Sequence, residues 1–375
     1  YTSFFKIFNL SDSDDTNTMI SALKSEDEEI DIGHAGTAMR FLTSYYSSII
    51  NSSKILTGSE RMKQRPISIL VDALNHIGAE IEYLESEGYP PIKLKGKLIT
   101  NNVVILPANV SSQYISSLMM LGVSLEDGLK INLSTKITSL PYIKMTKILI
   151  ERIGGEVIIK SDKIIIKPFI AHDISDQTVE SDWSSASYFY SLVALSDYSE
   201  ITISTFFKKS IQGDSRIENI YRKFGVETSF RDNKIHLKKV NVELPEIISI
   251  NLQDNPDLAQ TIIITCLGLG VDCDLQGLHT LKIKETDRLI ALKKEIEKFD
   301  VDRVEVSDQS IILKNNSKLK SNVTVDTYND HRMAMSFAPL SLIIPIIIRN
   351  PEVVSKSYSN FWNDLKSVGF NISKK

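Results

Sequence analysis

Lys284, Glu285, Asp287 and Arg288 place two cations and two carboxylates within five residues, at the predicted start of a helix. Free backbone N–H groups and the positive end of a helix dipole favour an anion there, and the two cations can add charge-assisted hydrogen bonds. Glu285, held between cations, can carry a proton if the site also desolvates it. The simpler interpretation is a solvated first turn with an acidic cap, and this stretch alone favours it.

Polar or basic residues precede a predicted helix at six further places. They are residues 33–40, 57–66, 111–113, 182–186, 254–258 and 326–335. A tight turn, an N-cap or solvated loop charges explain each of them taken alone, and capping is favoured for Asp182. Because the same arrangement recurs, the set predicts a small polyanionic ligand bound between domains.

The residue types of single side chains in these stretches suggest chemical roles. Asp257 can bind a substrate hydroxyl or only cap a helix. Arg61 and Arg65 can grip an anion bidentately, and Arg332 is the natural anion ligand of its stretch. Lys356 lies in a predicted polar loop. His331 has no second His or Cys at ligand spacing, so no metal site is predicted. The glycine patterns of nucleotide-binding loops and the Gly-x-Ser-x-Gly pattern of hydrolases are not found in the sequence.

A repeating pattern must position these residues: an amphipathic helix, a residue suited to ending it, a strand, a turn and a second strand. Gly78, Gly154, Gly225 and Gly369 end four such helices, and Asp300 stands where a fifth Gly would be. Gly suits a helix end because it adopts the left-handed conformation without a Cβ penalty. The spacing of roughly 70 residues exceeds that of solenoid repeats and predicts an α/β unit in each copy.

The pattern also predicts individual elements. A strand over 281–283 should lead into a helix over 289–299, and Pro66 should lie in the first turn of its helix. A helix is expected over 16–23, followed by a strand without a hairpin, and a truncated strand should follow Gly369. Residues 174–181 are the expected crossover between domains.

Composition narrows the class of protein. The 375 residues suffice for two domains, and the net charge of −4 argues against a nucleic-acid binder. Cys266 and Cys273 lack neighbouring Cys or His ligands, so they are expected to be reduced thiols in a cytoplasmic protein. The most apolar run, 340–348, is too short to span a bilayer, so no membrane association is expected.

Taken in order from about Leu10 to Phe361, these motifs resemble the EPSP synthase family, the 3-phosphoshikimate 1-carboxyvinyltransferases. The resemblance implies a two-domain inside-out α/β barrel, each domain built from three βαβαββ repeats. Its domains would be 1–178, with an incomplete first repeat, and 179–375, without its first strand. It also implies enolpyruvyl transfer from phosphoenolpyruvate (PEP) to the 5-hydroxyl of shikimate 3-phosphate, with no metal or organic cofactor, in a cytoplasmic monomer.

The resemblance assigns roles to matching residues. It implies that PEP is held by Gly36, Arg61, Gln113, Arg288, Arg332 and Lys356. It implies that shikimate 3-phosphate is held by Ser111, Ser112, Gln113, Ser139, Tyr142, Asp257 and Lys284, and it places Thr37 among the substrate-binding residues. Asp257 would deprotonate the 5-hydroxyl, and Glu285 would protonate the PEP methylene carbon with help from Lys356.

The sequence departs from the family pattern at several positions. His34 and Thr280 stand where the family has Asn, and Phe41 replaces a Pro. The family's N-terminal Lys-Ser-x-Ser-Asn-Arg segment is not in the sequence, so the chain as given is expected to be a fragment with little or no activity. Two alternatives stay open: a UDP-N-acetylglucosamine enolpyruvyl transferase, which relies on a loop Cys, and a non-catalytic sugar-phosphate binding protein.

Overall fold

The structure is a computed structural model, and it describes residues 5–109, 111–169, 174–315 and 318–374. The chain divides into two compact units, Tyr1–Gln177 and Thr178–Lys375. Each unit has its own buried apolar core.

The first unit alternates helices and short strands. Its helices are α1 (Asp14–Lys24), α2 (Gly36–Ser47), α3 (Ser68–His76), α4 (Ser112–Gly122) and α5 (Leu140–Arg152). Its strands are β1 (Ile7–Phe8), β2 (Glu29–Asp31), β3 (Ser53–Thr57), β4 (Glu80–Tyr83), β5 (Ile92–Lys95), β6 (Val103–Leu106), β7 (Leu129–Leu133), β8 (Val157–Ile159) and β9 (Lys163–Ile166). Strand β10 (Gln177–Thr178) lies at the boundary between the units.

The second unit continues the alternation. Its helices are α6 (Trp183–Leu195), α7 (Ile217–Tyr221), α8 (Ala259–Leu269), α9 (Arg288–Glu297), α10 (His331–Phe337) and α11 (Phe361–Ser367). Its strands are β11 (Glu200–Ser204), β12 (Val226–Arg231), β13 (Lys234–Lys239), β14 (Ile247–Asn251), β15 (Asp272–Gln276), β16 (Arg303–Val306), β17 (Ser310–Lys314), β18 (Val323–Val325) and β19 (Ile346–Ile348).

Three stretches of the described chain form the same βαβαββ unit. Their strand orders are β2-β3-β5-β4, β6-β7-β9-β8 and β14-β15-β17-β16. In each, the first two strands are parallel and joined by a helix, and the last two form an antiparallel hairpin. Partial copies contribute the order β11-β13-β12 and the parallel pair β18-β19.

This topology decides where the loops of each copy lie. Each of the two parallel strands of a copy is followed by an α-helix, so both strand-to-helix connections begin at the same edge of the sheet. In the third copy these connections are β14 to α8 and β15 to α9. Asp257 and Arg288, 31 residues apart in the sequence, are therefore brought together.

The predicted helix ends are confirmed. Gly78, Gly154, Gly225 and Gly369 have positive φ angles of 110°, 98°, 76° and 102°, and Asp300 adopts the same left-handed region at 64°. The Asp tolerates this conformation better than most residues because its short polar side chain can bond locally. The repeat spacing read from the sequence thus marks real helix ends.

Five helices are buried on nearly all sides: α2 and α4 in the first unit, and α6, α8 and α10 in the second. Helix α8, for example, is buried from Ala259 through Leu267. A helix that is apolar all round can only lie in a core. The arginines of these helices, Arg40 in α2 and Arg332 in α10, lie near the N-terminal ends.

Some expected elements were wrong. Residues 281–283 belong to a 3₁₀ helix, His279–Ile283, although the helix after them is confirmed as α9. Pro66 precedes α3 by two residues, and a 3₁₀ helix, Met62–Gln64, occupies the loop before it. No strand follows Gly369 in the described residues up to 374. Among the helices that the structure describes, none is both long and apolar enough to cross a membrane.

Two glycines at helix ends offer a matched test of this geometry. Gly225 and Gly270 have similar φ angles, 76° and 69°, but a Cβ on Gly225 would lie 2.4 Å from the Val240 carbonyl oxygen, whereas a Cβ on Gly270 would meet nothing within 4 Å. Gly270→Ala should cost about 1–2 kcal/mol through its conformation alone. Gly225→Ala should cost clearly more, as measured by urea denaturation, and equal losses would contradict the close approach.

Candidate active site

The second unit contains a buried guanidinium that three carboxylates share. Arg288 is 1% exposed. Its Nε donates to Asp330 Oδ2 at 2.6 Å, its Nη1 to Asp257 Oδ1 at 2.9 Å and its Nη2 to Glu285 Oε2 at 2.8 Å. Such pairing is what allows a charge to be buried at all.

Arg288 reaches this position because α9 begins at this residue. Asp287 is the N-cap, and its Oδ1 accepts from the backbone N–H groups of Leu289 and Ile290, both at 3.2 Å. The capping interpretation of the stretch is therefore confirmed for Asp287. The interpretation of this stretch as a solvated first turn is wrong, because Arg288 is buried and the Glu285 side chain is only 11% exposed.

Asp257 faces three cations. Its carboxylate lies 2.9 Å from Arg288, 3.3 Å from Lys284 Nζ and 3.4 Å from Arg332 Nη2. Burial alone would raise the pKa of Asp257, but Arg332, Lys284 and Arg288 together hold that pKa well below its ordinary value. Asp257 is consequently an ionised hydrogen-bond acceptor. It lies in the 3₁₀ turn Pro256–Leu258 that leads into α8.

Glu285 is flanked by a second cation, Lys356. The Lys356 Nζ lies 3.6 Å from Glu285 Oε1, and the two side chains are 12% and 11% exposed. Lys356 ends a 3₁₀ helix, Pro351–Lys356, so the polar loop expected there was wrong. Glu285 thus lies between Arg288 and Lys356.

Asp330 links the guanidinium to α10. It is completely buried, caps the helix by accepting from Arg332 N at 2.9 Å, and contacts Arg288 through both carboxylate oxygens. Its neighbour His331 is also buried, 3.8 Å from the Asp330 carboxylate. Burial holds the pKa of His331 well below its ordinary value, so this ring is neutral. We name Arg288, Asp257, Glu285, Asp330, Lys284, Arg332 and Lys356 the Arg288 cluster.

A second buried carboxylate supports the turn that carries Asp257. Asp214 accepts from Ser184 Oγ at 2.5 Å and from Asn255 Nδ2 at 3.1 Å. Burial raises the pKa of Asp214, and the nearby charge of Asp257 raises it further. The side chain of Asn255, two residues before Asp257, is fixed in this way.

In the first unit, two arginines pack against Gly36 at the start of α2. An ideal Cβ on Gly36 would lie 2.6 Å from Arg65 Nη1 and 2.9 Å from Arg40 Nη1, so any side chain here would displace a guanidinium. Arg40 and Arg65 are 5% and 8% exposed, and Arg40 Nη1 donates to the Gly36 carbonyl at 2.9 Å. The two cations and the helix N-terminus make this corner strongly positive.

The polar start of α4 joins the same region. Gln113 Nε2 donates to Thr37 Oγ1 at 2.8 Å, which connects the first turns of α4 and α2. Ser111 caps α4 by accepting from Gln113 N, and Ser112 is its first residue. The predicted site residues Thr37 and Gln113 are therefore in direct contact.

The remaining residues predicted in the first unit lie at its other strand-to-helix connections. Arg61 is half-buried and precedes the 3₁₀ helix Met62–Gln64. Ser139 is buried in a left-handed conformation just before α5, and its carbonyl accepts from Tyr142 N at 3.1 Å. Every predicted site residue thus lies within four residues of the start of a helix or 3₁₀ helix, except Lys356, which lies at the end of a 3₁₀ helix.

Three contributors were missed by reasoning from the sequence: Asp330, Asp214 and Arg40. Asp330 has the residue type and position of a helix N-cap, and it is the N-cap of α10. Nothing in the neighbouring sequence indicates that it also contacts Arg288. The structure also shows the surroundings of His34 and Thr280, the two residues that stand where the family has Asn. His34 Nδ1 lies 3.0 Å from Ser59 Oγ, and Thr280 Oγ1 is buried without a hydrogen-bond partner.

Neither cysteine belongs to the Arg288 cluster. Cys266 and Cys273 are free thiols, both buried. In the part of the chain that the structure describes, no group of three His, Cys, Asp or Glu side chains could hold a metal ion.

Comparison with known proteins adds independent findings. A family model described as EPSP synthase (3-phosphoshikimate 1-carboxyvinyltransferase) matches residues 9–365. A Bacteroides fragilis protein named 3-phosphoshikimate 1-carboxyvinyltransferase is 46% identical over 367 residues, which are 97% of this chain and 89% of the relative.

Solved structures show the same fold. EPSP synthase from Acinetobacter baumannii has a TM-score of 0.74 at 19% identity, covering 99% of this chain and 92% of that one. The enolpyruvyl transferase NikO from Streptomyces tendae has a TM-score of 0.67 at 12% identity, covering 91% and 77%. The predicted enolpyruvyl transferase fold is confirmed by this likeness.

Asp330→Asn tests whether the buried contact between Asp330 and Arg288 stabilises the second unit. Removing one of the three carboxylates around Arg288 should destabilise the second unit by about 1–3 kcal/mol, because the buried guanidinium keeps Asp257 and Glu285 but loses a charge-assisted contact. Asp308→Asn is the control, since Asp308 pairs with Lys282 at 2.6 Å on the surface and its loss should scarcely change the urea midpoint. Equal shifts in the two variants would contradict a central role for Arg288.

Proposed function

The chain belongs to the EPSP synthase family, the 3-phosphoshikimate 1-carboxyvinyltransferases, and from that membership we propose that the Arg288 cluster performs the chemistry of the family's reaction. The protein is a transferase of the shikimate pathway, in aromatic amino-acid and chorismate biosynthesis. It moves the enolpyruvyl group of PEP to the 5-hydroxyl of shikimate 3-phosphate and releases phosphate.

One observation carries the proposal: two carboxylates, Asp257 and Glu285, share the buried guanidinium of Arg288. The reaction needs two groups that exchange protons. The 5-hydroxyl must lose its proton to bond to C2 of PEP. The methylene carbon must gain a proton for C2 to become electrophilic, and must lose one again when phosphate leaves and the double bond re-forms.

Glu285 is the group we assign to the methylene carbon. As a protonated carboxyl it donates to that carbon, and as a carboxylate it takes a proton back when phosphate leaves. Positive charge that develops at C2 is stabilised by the carboxylates around it. Lys356 Nζ lies 3.6 Å from Glu285 Oε1, and it assists because its positive charge stabilises the carboxylate form of Glu285 after proton donation.

Asp257 is the group we assign to the 5-hydroxyl. Without substrates, three cations hold its pKa low, which makes it a good acceptor but a weak base. Substrate phosphate and carboxylate groups compete for the same cations. When they bind, the cations stabilise the Asp257 carboxylate less, so its basicity rises at the moment a hydroxyl lies beside it.

The remaining residues bind substrate in this proposal. PEP is held by Gly36, Arg61, Gln113, Arg288, Arg332 and Lys356, and shikimate 3-phosphate by Ser111, Ser112, Gln113, Ser139, Tyr142, Asp257 and Lys284, with Thr37 supporting Gln113. The cations neutralise phosphate and fix the approach of the two reactants. The enzyme is further proposed to act as a cytoplasmic monomer.

The function is tested by phosphate release from protein expressed from its complete gene, and this release should require both PEP and shikimate 3-phosphate. Glu285→Gln keeps the hydrogen bond acceptor for Arg288 but cannot transfer a proton, so kcat should fall by about 10²–10⁴-fold with little change in KM. Glu297→Gln, an exposed change on the same helix, should behave like the wild type. Unchanged turnover in Glu285→Gln would remove its assigned role.

Arg332→Ala tests the binding assignment separately. Losing a charge-assisted contact to the substrate should raise KM for PEP about 10- to 100-fold, with a smaller effect on kcat. Arg303→Ala removes an exposed arginine on β16 and serves as the control. A wild-type KM for PEP in Arg332→Ala would show that this arginine does not hold PEP.

A further inference from the structure

The loop before α10 contains a turn with an unusual backbone. Asp330 N donates to Thr327 O at 2.8 Å, and the two residues between them, Tyr328 and Asn329, have φ angles of 53° and 55°. Positive φ at both central positions is the pattern of a type I′ turn, which is usually Asn-Gly. A tyrosine in the left-handed region is strained, so something else must hold this turn.

Glu295 supplies that restraint. This glutamate is completely buried in α9, and its Oε1 accepts from the Tyr328 hydroxyl at 2.6 Å. Its Oε2 accepts from Asp326 N at 3.0 Å and from Lys298 Nζ at 2.6 Å. One buried carboxylate therefore contacts the turn residue and the backbone just before the turn.

The same helix contacts the other end of the loop. Arg288, the first residue of α9, holds Asp330 through both carboxylate oxygens. Glu295 follows seven residues later, about 10 Å along the axis. Because the helix is rigid, the loop is fastened at two points whose separation cannot change. The turn between them aims Asp330 at Arg288 and starts α10 at the residue before Arg332.

We propose that Glu295 is a positioning residue for the transferase reaction: by holding Tyr328 it keeps the strained turn that presents Asp330 to Arg288 and sets the position of Arg332. The proposal rests on the assignment of Arg288 and Arg332 as PEP ligands. Glu295 itself is too deeply buried behind Tyr328 and Asp326 to be assigned a contact with substrate.

Tyr328→Phe and Glu295→Gln test this proposal and leave the volume of the buried side chains almost unchanged. Both should raise KM for PEP by about tenfold and change kcat less, because the turn relaxes and the arginines lose their alignment. Tyr190→Phe is the matched control. Its hydroxyl is also buried and bonds Thr228 in another copy of the repeat, so its loss should leave KM unchanged.

Rescue distinguishes positioning from a general loss of stability. Asn329→Gly alone should keep the wild-type KM, and combined with Glu295→Gln it should restore most of the lost affinity, because Gly favours positive φ without outside support. A wild-type KM in both Glu295→Gln and Tyr328→Phe overturns the proposal. A raised KM that Asn329→Gly leaves unchanged also overturns it.

A second readout does not depend on activity. Amide hydrogen exchange of a peptide covering residues 326–332 should be about tenfold faster in Glu295→Gln and return toward the wild type in the double variant. Unchanged exchange in Glu295→Gln overturns the proposal even if the enzyme is inactive. If wild-type protein expressed from its complete gene released no phosphate with both substrates, that result would instead contradict the proposed function.

Discussion

Arg288 imposes the central constraint on the second unit. A guanidinium that is 1% exposed can exist there only because Asp330, Asp257 and Glu285 surround it. Those three carboxylates come from three different strand-to-helix connections. Each connection must end at a fixed place for the charge to be compensated, so the same contacts that stabilise the fold also fix the positions of the carboxylates proposed as catalytic.

The topology explains how those connections meet. Asp257 precedes α8 and Arg288 starts α9, and both helices follow parallel strands of the same sheet. The corresponding connections of the first copy bring Arg65 against Gly36. The buried helices α2, α4, α8 and α10 contain no charged side chain beyond their first two turns. Polar chemistry is therefore concentrated at their N-terminal ends, where unpaired N–H groups already favour anions.

Features that depend on neighbouring residues could be predicted from the sequence, whereas contacts between residues far apart in the sequence could not. Helix ends at Gly78, Gly154 and Gly225, and the cap at Asp182, follow from backbone preferences that act within a few residues. The partner of Asp330 is 42 residues away, so nothing near it distinguishes a cap from a ligand of Arg288. The strand expected over 281–283 was wrong because Leu281 and Ile283 suggested one buried strand face, whereas in the 3₁₀ helix Leu281 is buried and Ile283 is 41% exposed. The family resemblance assigned roles that spacing alone left open.

The three identical strand orders have a historical implication. Gly36, Ser112, Asp257 and Arg332 all lie just after the first strand of a copy, whereas Arg61, Ser139 and Arg288 lie just after the second. An ancestral gene encoding one small unit, duplicated several times, would offer the same two loops in each descendant. Divergence could then specialise one loop for a hydroxyl, another for a phosphate and a third for a proton, while the scaffold beneath them stayed the same.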